Sequence, residues 1–393
     1  MRRGLDGFHD DADAWRAAVG ARAPVYDRLL AAAAGIFDQP AGSLEEAARA
    51  RVEAAWRERR LSPGYDRPLL LMAALRAEAL RAGPRHPLFD AIAATDVRPE
   101  AATREALAAA LADAPPRLYA ELATRRVQTN ETSRAVAWLW PAALAGCANG
   151  QRPLALFDVG CSAGLNLCAE RLAAPWRDPA GAPLPVAAAA TIVARHGFDV
   201  QPLDVDRADD LNWLRACIWP GETARLDRLA AAVEAFHGAA SGSTPPLLEI
   251  ADLPDVPARL ERLAQAAPPE TVLLAYQTVV RDYLTEPSRA RYVEGMTRWV
   301  AAESPAGPRR IWIELEAAPD GWKDPGGQPV RLPMSLDAHV ADGAGRAATL
   351  TLARCSYHPD LLAPDPVAVG EFIAWTKPGF ARQSPSREGL GTL

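Results

Sequence analysis

The spacing of apolar positions changes near residue 150 and divides the chain into two parts. Up to residue 125, apolar residues recur every three to four positions among charges, which is the spacing of amphipathic helices. Ser43-Leu-Glu-Glu46 fits a capping box at one helix start, and Pro115-Pro116 ends a helix. The pattern predicts an all-helical N-terminal domain over residues 1–125 and a second domain over residues 126–393.

From residue 152 onward, short apolar runs alternate with helical patterns, an order typical of a largely parallel sheet. The predicted strands are residues 154–159, 185–194, 247–252, 271–277 and 310–316, with a helix over 164–173 after the first strand. Two further runs, 338–341 and 348–353, flank a glycine-containing turn and predict a closing hairpin. The predicted fold class is α/β, with a mostly parallel sheet, a C-terminal antiparallel hairpin and a preceding all-helical domain.

One stretch, residues 154–166, combines a strand, a glycine turn and a helix start. Its apolar run ends at Asp158, and glycines follow at Gly160 and Gly164. Such a turn lets a ligand lie close to bare backbone at a helix N-terminus. The dinucleotide fingerprint G-x-G-x-x-G does not fit, because Ser162 and Leu165 occupy its second and third glycine positions.

With an acid just before the first glycine, this stretch resembles the first motif of Rossmann-like S-adenosylmethionine methyltransferases. The resemblance implies a Rossmann-like methyltransferase sheet and S-adenosylmethionine as the cofactor. It also implies that Asp158 orients the turn or reaches the amino-acid part of the cofactor through water, while Gly160 and Gly164 allow close approach. The other turn residues that it assigns to cofactor binding are Cys161, Ser162 and Asn166.

A second acid is expected after the second strand, because methyltransferases place a carboxylate there to accept the ribose hydroxyls. Asp199 is the candidate that the resemblance favours, and Asp204 and Asp206 compete with it. A solvated acidic loop is the alternative interpretation of all three residues.

The ends of later strands supply further candidates, since ligands of open parallel sheets bind outside the carboxyl ends of the strands. Asp252 either contacts the adenine end of the cofactor or caps a loop. Tyr276 and Gln277 follow the fourth strand, where methyltransferases hold the acceptor, or they pack a strand end. A general base is needed only if the acceptor must lose a proton, and the candidates are Glu131, Tyr276 and Glu314.

A polar run, Gln128-Thr-Asn-Glu-Thr-Ser-Arg134, leads into an apolar helical segment. Residues of capping type are common at such a helix start, so one interpretation is a polar N-cap on a packing helix. The functional alternative is that Asn130, Glu131 or Arg134 lines the ligand cleft on the substrate side.

The composition of the chain limits which substrates, metals and membrane partners are expected. The net charge of −6 and the pI near 5.7 disfavour a nucleic-acid substrate and leave a small molecule as the expected one. No apolar core follows the charged N-terminus, and no membrane-length apolar window exists, so we expect a cytoplasmic protein without a membrane partner. The five cysteines form no C-x-x-C and the six histidines show no metal-ligand spacing, so free thiols and no metal site are expected.

Four runs together resemble an uncharacterised bacterial family, a domain of unknown function with a methyltransferase-like fold. They are residues 128–131, 158–166, 197–205 and 213–220, in that order. The resemblance covers most of the chain, including its helical N-terminal part. It implies a fold and no established reaction.

Two other functions remain open. Gly160-Cys-Ser-Ala-Gly164 also matches the nucleophile elbow G-x-S-x-G, so a serine hydrolase would use Ser162 with a late histidine such as His358 and an acid such as Glu314 or Glu316. The same fold could also serve as a non-catalytic cofactor-binding module. We favour an S-adenosylmethionine-dependent methyltransferase acting on an unidentified small molecule. The sequence indicates neither the acceptor nor the oligomeric state.

Overall fold

A computed structural model describes residues 2–61, 64–128, 131–150, 152–318 and 332–377. Contacts divide the chain into two compact units. The first comprises Met1–Asn130 and Leu203–Ala230, and the second comprises Glu131–Pro202 and Ala231–Leu393. The first unit therefore includes a segment from the range expected to form one α/β domain, and the domain boundary at residue 125 stays a prediction.

Helices form most of the first unit, and in the second unit helices accompany a sheet. In chain order they are α1 (Phe8–Val19), α2 (Pro24–Asp38), α3 (Ser43–Trp56), α4 (Asp66–Ala82), α5 (Phe89–Ile92), α6 (Arg104–Ala112), α7 (Pro116–Thr124), α8 (Val136–Leu144), α9 (Ala208–Ala216), α10 (Thr223–Ala240), α11 (Val256–Ala266), α12 (Glu286–Ala301) and α13 (Pro366–Thr376). Short 3-10 helices span Gly20–Arg22, Gly83–Arg85, Pro99–Ala101, Thr132–Ala135, Leu165–Arg171, Leu253–Asp255 and Arg281–Tyr283. Among the described residues, no helix has the length and apolar character needed to cross a membrane.

The start of α3 departs from the predicted capping box. Gly42 occupies the N-cap position, and no side chain caps the helix. Glu45 rather than Glu46 reaches back, and its carboxylate accepts the backbone N–H of Ala41 at 2.6 Å. The capping-box prediction is wrong because Ser43 is the first residue of the helix rather than its N-cap. Arg104 holds the Glu45 carboxylate with two nitrogens, each at 2.7 Å.

Strands fall into two sheets. The two-residue strands β1 (Arg2–Arg3) and β2 (Arg60–Leu61) pair antiparallel in the first unit. The second unit contains β3 (Leu154–Val159), β4 (Ile192–Asp199), β5 (Leu247–Ile250), β6 (Val272–Thr278), β7 (Arg309–Ala317), β8 (Met334–Ala341), β9 (Ala347–Cys355) and β10 (Leu362–Pro364). Their spatial order is β10-β9-β8-β7-β6-β3-β4-β5. Strands β3 to β7 pair in parallel, and β8, β9 and β10 continue the sheet antiparallel. The predicted mostly parallel sheet with a C-terminal antiparallel hairpin is confirmed.

The sequence pattern predicts the second parallel strand at residues 185–194, but the structure has it at Ile192–Asp199 as β4. Arg195 and His196 interrupt the apolar pattern of this strand. Arg195 is nonetheless buried, because its Nη2 pairs with Glu170 Oε1 at 2.6 Å. A buried charge is tolerated when it has such a partner. The helix predicted after the glycine turn is instead a 3-10 helix whose backbone leaves helical geometry at Cys168.

The large sheet is buried on both faces. On the α8 face, Leu156, Leu274 and Ile313 join a core to which α8 and α13 contribute. On the α12 face, Phe157, Leu273 and Trp312 join a core built with α11 and α12. Residues two apart on a strand share a face of the sheet. The face of each strand-end residue therefore follows from the core residue two positions before it.

Candidate functional site

The glycine turn follows β3 at a point where the strand order reverses. From β3 the chain continues to β4 on one side, while β6 pairs on the other. Such switch points leave a crevice outside the carboxyl ends of the strands, where open α/β sheets bind ligands. The turn therefore occupies the expected position for a binding site.

Three residues of the turn adopt positive φ: Gly160 (80°), Ser162 (53°) and Gly164 (68°). A Cβ on Gly160 would lie 2.6 Å from Val280 Cγ2, so both backbone conformation and close packing require glycine there. The backbone N–H groups of Gly160 and Cys161 both donate to the carbonyl of Phe198, at 2.8 and 3.1 Å. The turn is thus fastened to the end of β4.

Asp158 lies beside Tyr276 in the register of β3 and β6. Both side chains are on the α8 face and are buried. Burial raises the pKa of Asp158 to about 7; the Tyr276 hydroxyl lowers it and the Asp199 carboxylate raises it further. Burial also raises the pKa of Tyr276 well above its usual value. The Tyr276 hydroxyl makes no hydrogen bond of normal length and angle within the described residues.

Asp199 ends β4 and joins the turn directly. Its Oδ2 accepts the backbone N–H of Ser162 at 2.8 Å, and its Oδ1 accepts the N–H of Gln201 at 2.8 Å. The side chain is buried. Of the candidate ribose acids, Asp199 is thus the one that the structure brings to the glycine turn.

Cys161 and Asn166 complete the predicted turn. The Cys161 thiol is buried, and burial raises its pKa well above the usual value, which disfavours a reactive thiolate. The backbone carbonyl of Asn166 accepts the indole N–H of Trp138 at 2.8 Å. The Asn166 side-chain Oδ1 is buried and has no hydrogen-bond partner among the described residues.

Glu131 and Arg134 lie at the entrance to α8, and Asn130 lies outside the described residues. The Glu131 carboxylate accepts the backbone N–H of Ser133 at 3.2 Å, as an N-cap does. His358 Nδ1 lies 3.8 Å from Glu131 Oε2. Arg134 is buried with its guanidinium 4.8 Å from the ring centre of Tyr357. The 3-10 segment that carries Arg134 contacts the one that carries Asn166, which begins directly after Gly164 of the turn.

Two other candidates lie at or just after the ends of β5 and β6. Asp252 is exposed, and its carboxylate accepts the N–H of Leu253 at 3.0 Å as a cap. Gln277 is on the α12 face, where its Oε1 accepts Tyr292 and Trp312 and its Nε2 donates to Glu316. Both side chains have local hydrogen-bond partners, and their binding roles stay predictions.

Glu314 also faces the α12 side, away from Asp158. Its carboxylate is held by the Nε and Nη2 atoms of Arg281 and lies 2.8 Å from His339 Nε2. His339 Nδ1 is 2.9 Å from the Thr349 hydroxyl oxygen. The side chain is therefore part of an ion-paired group on strands β7, β8 and β9.

Sequence reasoning missed the backbone that follows β6. Val279 has a φ of 56°, an uncommon conformation for a β-branched residue. The buried Glu316 carboxylate steadies this loop by accepting the Gln277 side-chain amide at 2.8 Å and the Val280 N–H at 2.9 Å. Burial raises the pKa of Glu316 to about 7. Alternation of Glu314 and Glu316 at a strand end was the available signal, since period two places both on one face.

The fold defines a mixed α/β protein with an eight-stranded, mostly parallel sheet. The model of the family described as "Uncharacterized protein conserved in bacteria (DUF2332)" matches residues 12–363, and the chain belongs to this family. None of the curated proteins compared with the chain matches it. Within the described ranges, no group of three or more His, Cys, Asp or Glu side chains is arranged to hold a metal ion.

Proposed function

We propose that this protein is an S-adenosylmethionine-dependent methyltransferase that acts on a small molecule. The observation that carries the proposal is the hydrogen bond from Ser162 N–H to Asp199, which joins the glycine turn after one strand to the acid after the next. The parallel strands follow the spatial order β5-β4-β3-β6-β7, the doubly wound order of nucleotide-binding sheets. An acid before the turn and another on the neighbouring strand are the two carboxylates expected for this cofactor.

The residues present fit the cofactor's chemistry. The Asp199 carboxylate, which accepts the backbone N–H groups of Ser162 and Gln201, is the acid that we assign to the ribose hydroxyls. Buried polar atoms in two contacting 3-10 segments also have no hydrogen-bond partner among the described residues: Asn166 Oδ1, and Nε and Nη2 of Arg134. Buried polar groups are normally hydrogen-bonded, so a cluster of orphaned ones favours a site completed by a polar ligand.

The bound cofactor would supply a methyl group on a sulfonium for in-line transfer to a nucleophile. The protein's part is to position the reactants and exclude water. Glu131 is the candidate base on the α8 side, for acceptors that must lose a proton. Tyr276 is suited to donate a hydrogen bond, because its raised pKa keeps the phenol protonated.

Isothermal titration calorimetry of S-adenosylmethionine and S-adenosylhomocysteine tests the proposal. We expect saturable binding to the wild-type protein and none to Gly160→Val, whose new side chain would strike Val280. Gly181→Val is the matched control, because Gly181 also has positive φ but a Cβ there meets nothing within 4 Å. Absence of binding to folded wild-type protein overturns the proposal. Binding without methyl transfer to any compound of a metabolite extract would favour the non-catalytic module.

One observation favours a second function, a serine hydrolase. Ser162 has a positive φ of 53°, and nucleophile elbows hold their serine in a strained turn. The proposed partners are directed elsewhere, however, with Glu314 beside His339 and His358 beside Glu131. A fluorophosphonate probe that labels wild type but not Ser162→Ala would establish the hydrolase, and failure to label wild type would exclude it.

A further inference from the structure

Arg134 carries a buried positive charge, and two nitrogens of its guanidinium group have no hydrogen-bond partner in the described part of the chain. Arg134 is only 3% exposed, and the two nitrogens are Nε and Nη2. The Tyr357 ring lies 4.8 Å from the guanidinium carbon and steadies the planar group. The guanidinium is therefore fixed in place with two parallel donors unused.

The Nε and Nη2 edge is the one that grips a carboxylate with two parallel hydrogen bonds. This protein uses it repeatedly: Arg117 holds Glu78 through these atoms at 2.7 Å each, and Arg104 holds Glu45 in the same way. Other buried arginines in the described ranges leave at most one nitrogen without a partner. Arg134 presents the same two nitrogens, and no acidic side chain of the described residues is hydrogen-bonded to them.

We propose that Arg134 binds a carboxylate group of the ligand side-on through Nε and Nη2. Two groups on the same and on the contacting 3-10 segment are buried and also lack partners among the described residues, namely the Ser133 hydroxyl and Asn166 Oδ1. The hydroxyl can donate to a carboxylate oxygen, and the amide oxygen can accept from an amino or hydroxyl group of the same ligand. The three groups together match a carboxylate that carries a hydrogen-bond donor nearby, as an amino acid does.

The carboxylate has two sources under the proposed function, on which this identification of the ligand rests. It belongs either to the amino-acid end of the cofactor or to the methyl acceptor. The preference for a carboxylate itself follows from the Arg134 fork and does not depend on methyl transfer.

Calorimetry on the intact chain separates the sources. S-adenosylhomocysteine has the carboxylate, and 5′-methylthioadenosine lacks it. If the cofactor supplies the group, Arg134→Met weakens S-adenosylhomocysteine binding by about 100- to 10,000-fold, the value of two charged hydrogen bonds, while 5′-methylthioadenosine binds both proteins alike. Arg134→Lys, which keeps the charge without the fork, recovers only part of the loss. Arg298→Met, at an arginine whose side chain is 73% exposed on α12, is the control and binds like wild type.

Small carboxylates test the proposal without any adenosyl compound. Benzoate and methionine, each compared with its amide, are titrated into wild type and Arg134→Met while the melting temperature is followed. If the acids stabilise wild type and their amides do not, the proposal is supported. This holds even if no adenosyl compound binds, because that failure would contradict only the proposed function. The wild-type comparison stands even if the variant fails to fold. The proposal is overturned if wild type prefers neither acid over its amide and Arg134→Met binds S-adenosylhomocysteine normally.

Discussion

The Asp199 carboxylate accepts the backbone N–H of Ser162 at 2.8 Å and thereby joins the end of β4 to the middle of the glycine turn. The same carboxylate accepts the N–H of Gln201 through its other oxygen. One buried acid thus fixes the backbone on both sides of the switch point. Its position makes it both a structural link and the best candidate for a ligand-facing carboxylate.

Replacing Asp199 by Ala removes the acceptor for two N–H groups, one of them within the buried turn. We expect a loss of about 2–4 kcal/mol in the free energy of unfolding, because each unsatisfied buried donor costs about 1–3 kcal/mol. Urea unfolding followed by circular dichroism measures the loss. Asp252→Ala, which removes an exposed cap, should cost only about 1 kcal/mol. Equal losses in the two variants would contradict the structural role of Asp199.

Strands with uninterrupted apolar runs were predictable from the sequence. Strand β3 matches its predicted range, and β6 and β7 lie within a residue or two of theirs. Strand β4 was not predictable, because the burial of Arg195 depends on Glu170, a partner 25 residues away that local pattern does not reveal. The segment after the turn was predicted as a helix over 164–173, and the structure has a 3-10 helix there with a break at Cys168.

The candidate site was predictable only in part. Local sequence identified the glycine turn and its preceding acid, because strand, glycine and helix signals are contiguous there. It did not reveal that Asp199 reaches the turn, since that contact depends on the register of two parallel strands. Nor did it reveal which face of the sheet Glu314 occupies relative to Asp158, because the faces are distinguished only by the helices that cover them.

Backbone strain at Ser162 is measurable by comparing two variants that both remove the hydroxyl. Ser162→Gly relieves the positive φ, whereas Ser162→Ala retains it. We expect the glycine variant to be more stable than the alanine variant by about 1 kcal/mol, the usual penalty for a side chain in the left-handed region. Chemical denaturation of both proteins gives the difference. A more stable alanine variant would show that the turn adopts another conformation.

The pKa of Asp158 makes stability depend on pH. In the folded protein it is about 7, against an ordinary value of 3.8, so the folded state holds a proton that the unfolded chain releases. The stability that this proton provides is complete below about pH 4 and is lost as pH rises to about 7. The loss approaches about 4 kcal/mol for a shift of this size, at about 1.4 kcal/mol for each pKa unit.

Asp158→Asn removes this dependence, because an amide stays neutral throughout. We expect the stability of the variant relative to wild type to rise between pH 4 and pH 7, measured by urea unfolding at several pH values. Tyr276, Asp199 and Cys161 also face Asp158 and remain unchanged in the variant. Asp252→Asn, at an exposed acid, serves as the control. Parallel stability curves for wild type and Asp158→Asn would rule out the raised pKa.

Glu316 supports the loop that holds Val279 in its unusual conformation. Glu316→Ala leaves the Val280 N–H and the Gln277 amide without their buried acceptor, so we expect a loss of about 2–4 kcal/mol in the free energy of unfolding. Glu316→Gln keeps one carbonyl oxygen for these donors and should lose less. Its deficit should also shrink from pH 5 to pH 8, because wild type must then ionise a buried carboxyl whose pKa is about 7. Adding Val279→Gly should recover part of the loss in Glu316→Ala, since glycine tolerates positive φ. If the glycine substitution gives no recovery, the carboxylate does not act through the conformation of this loop.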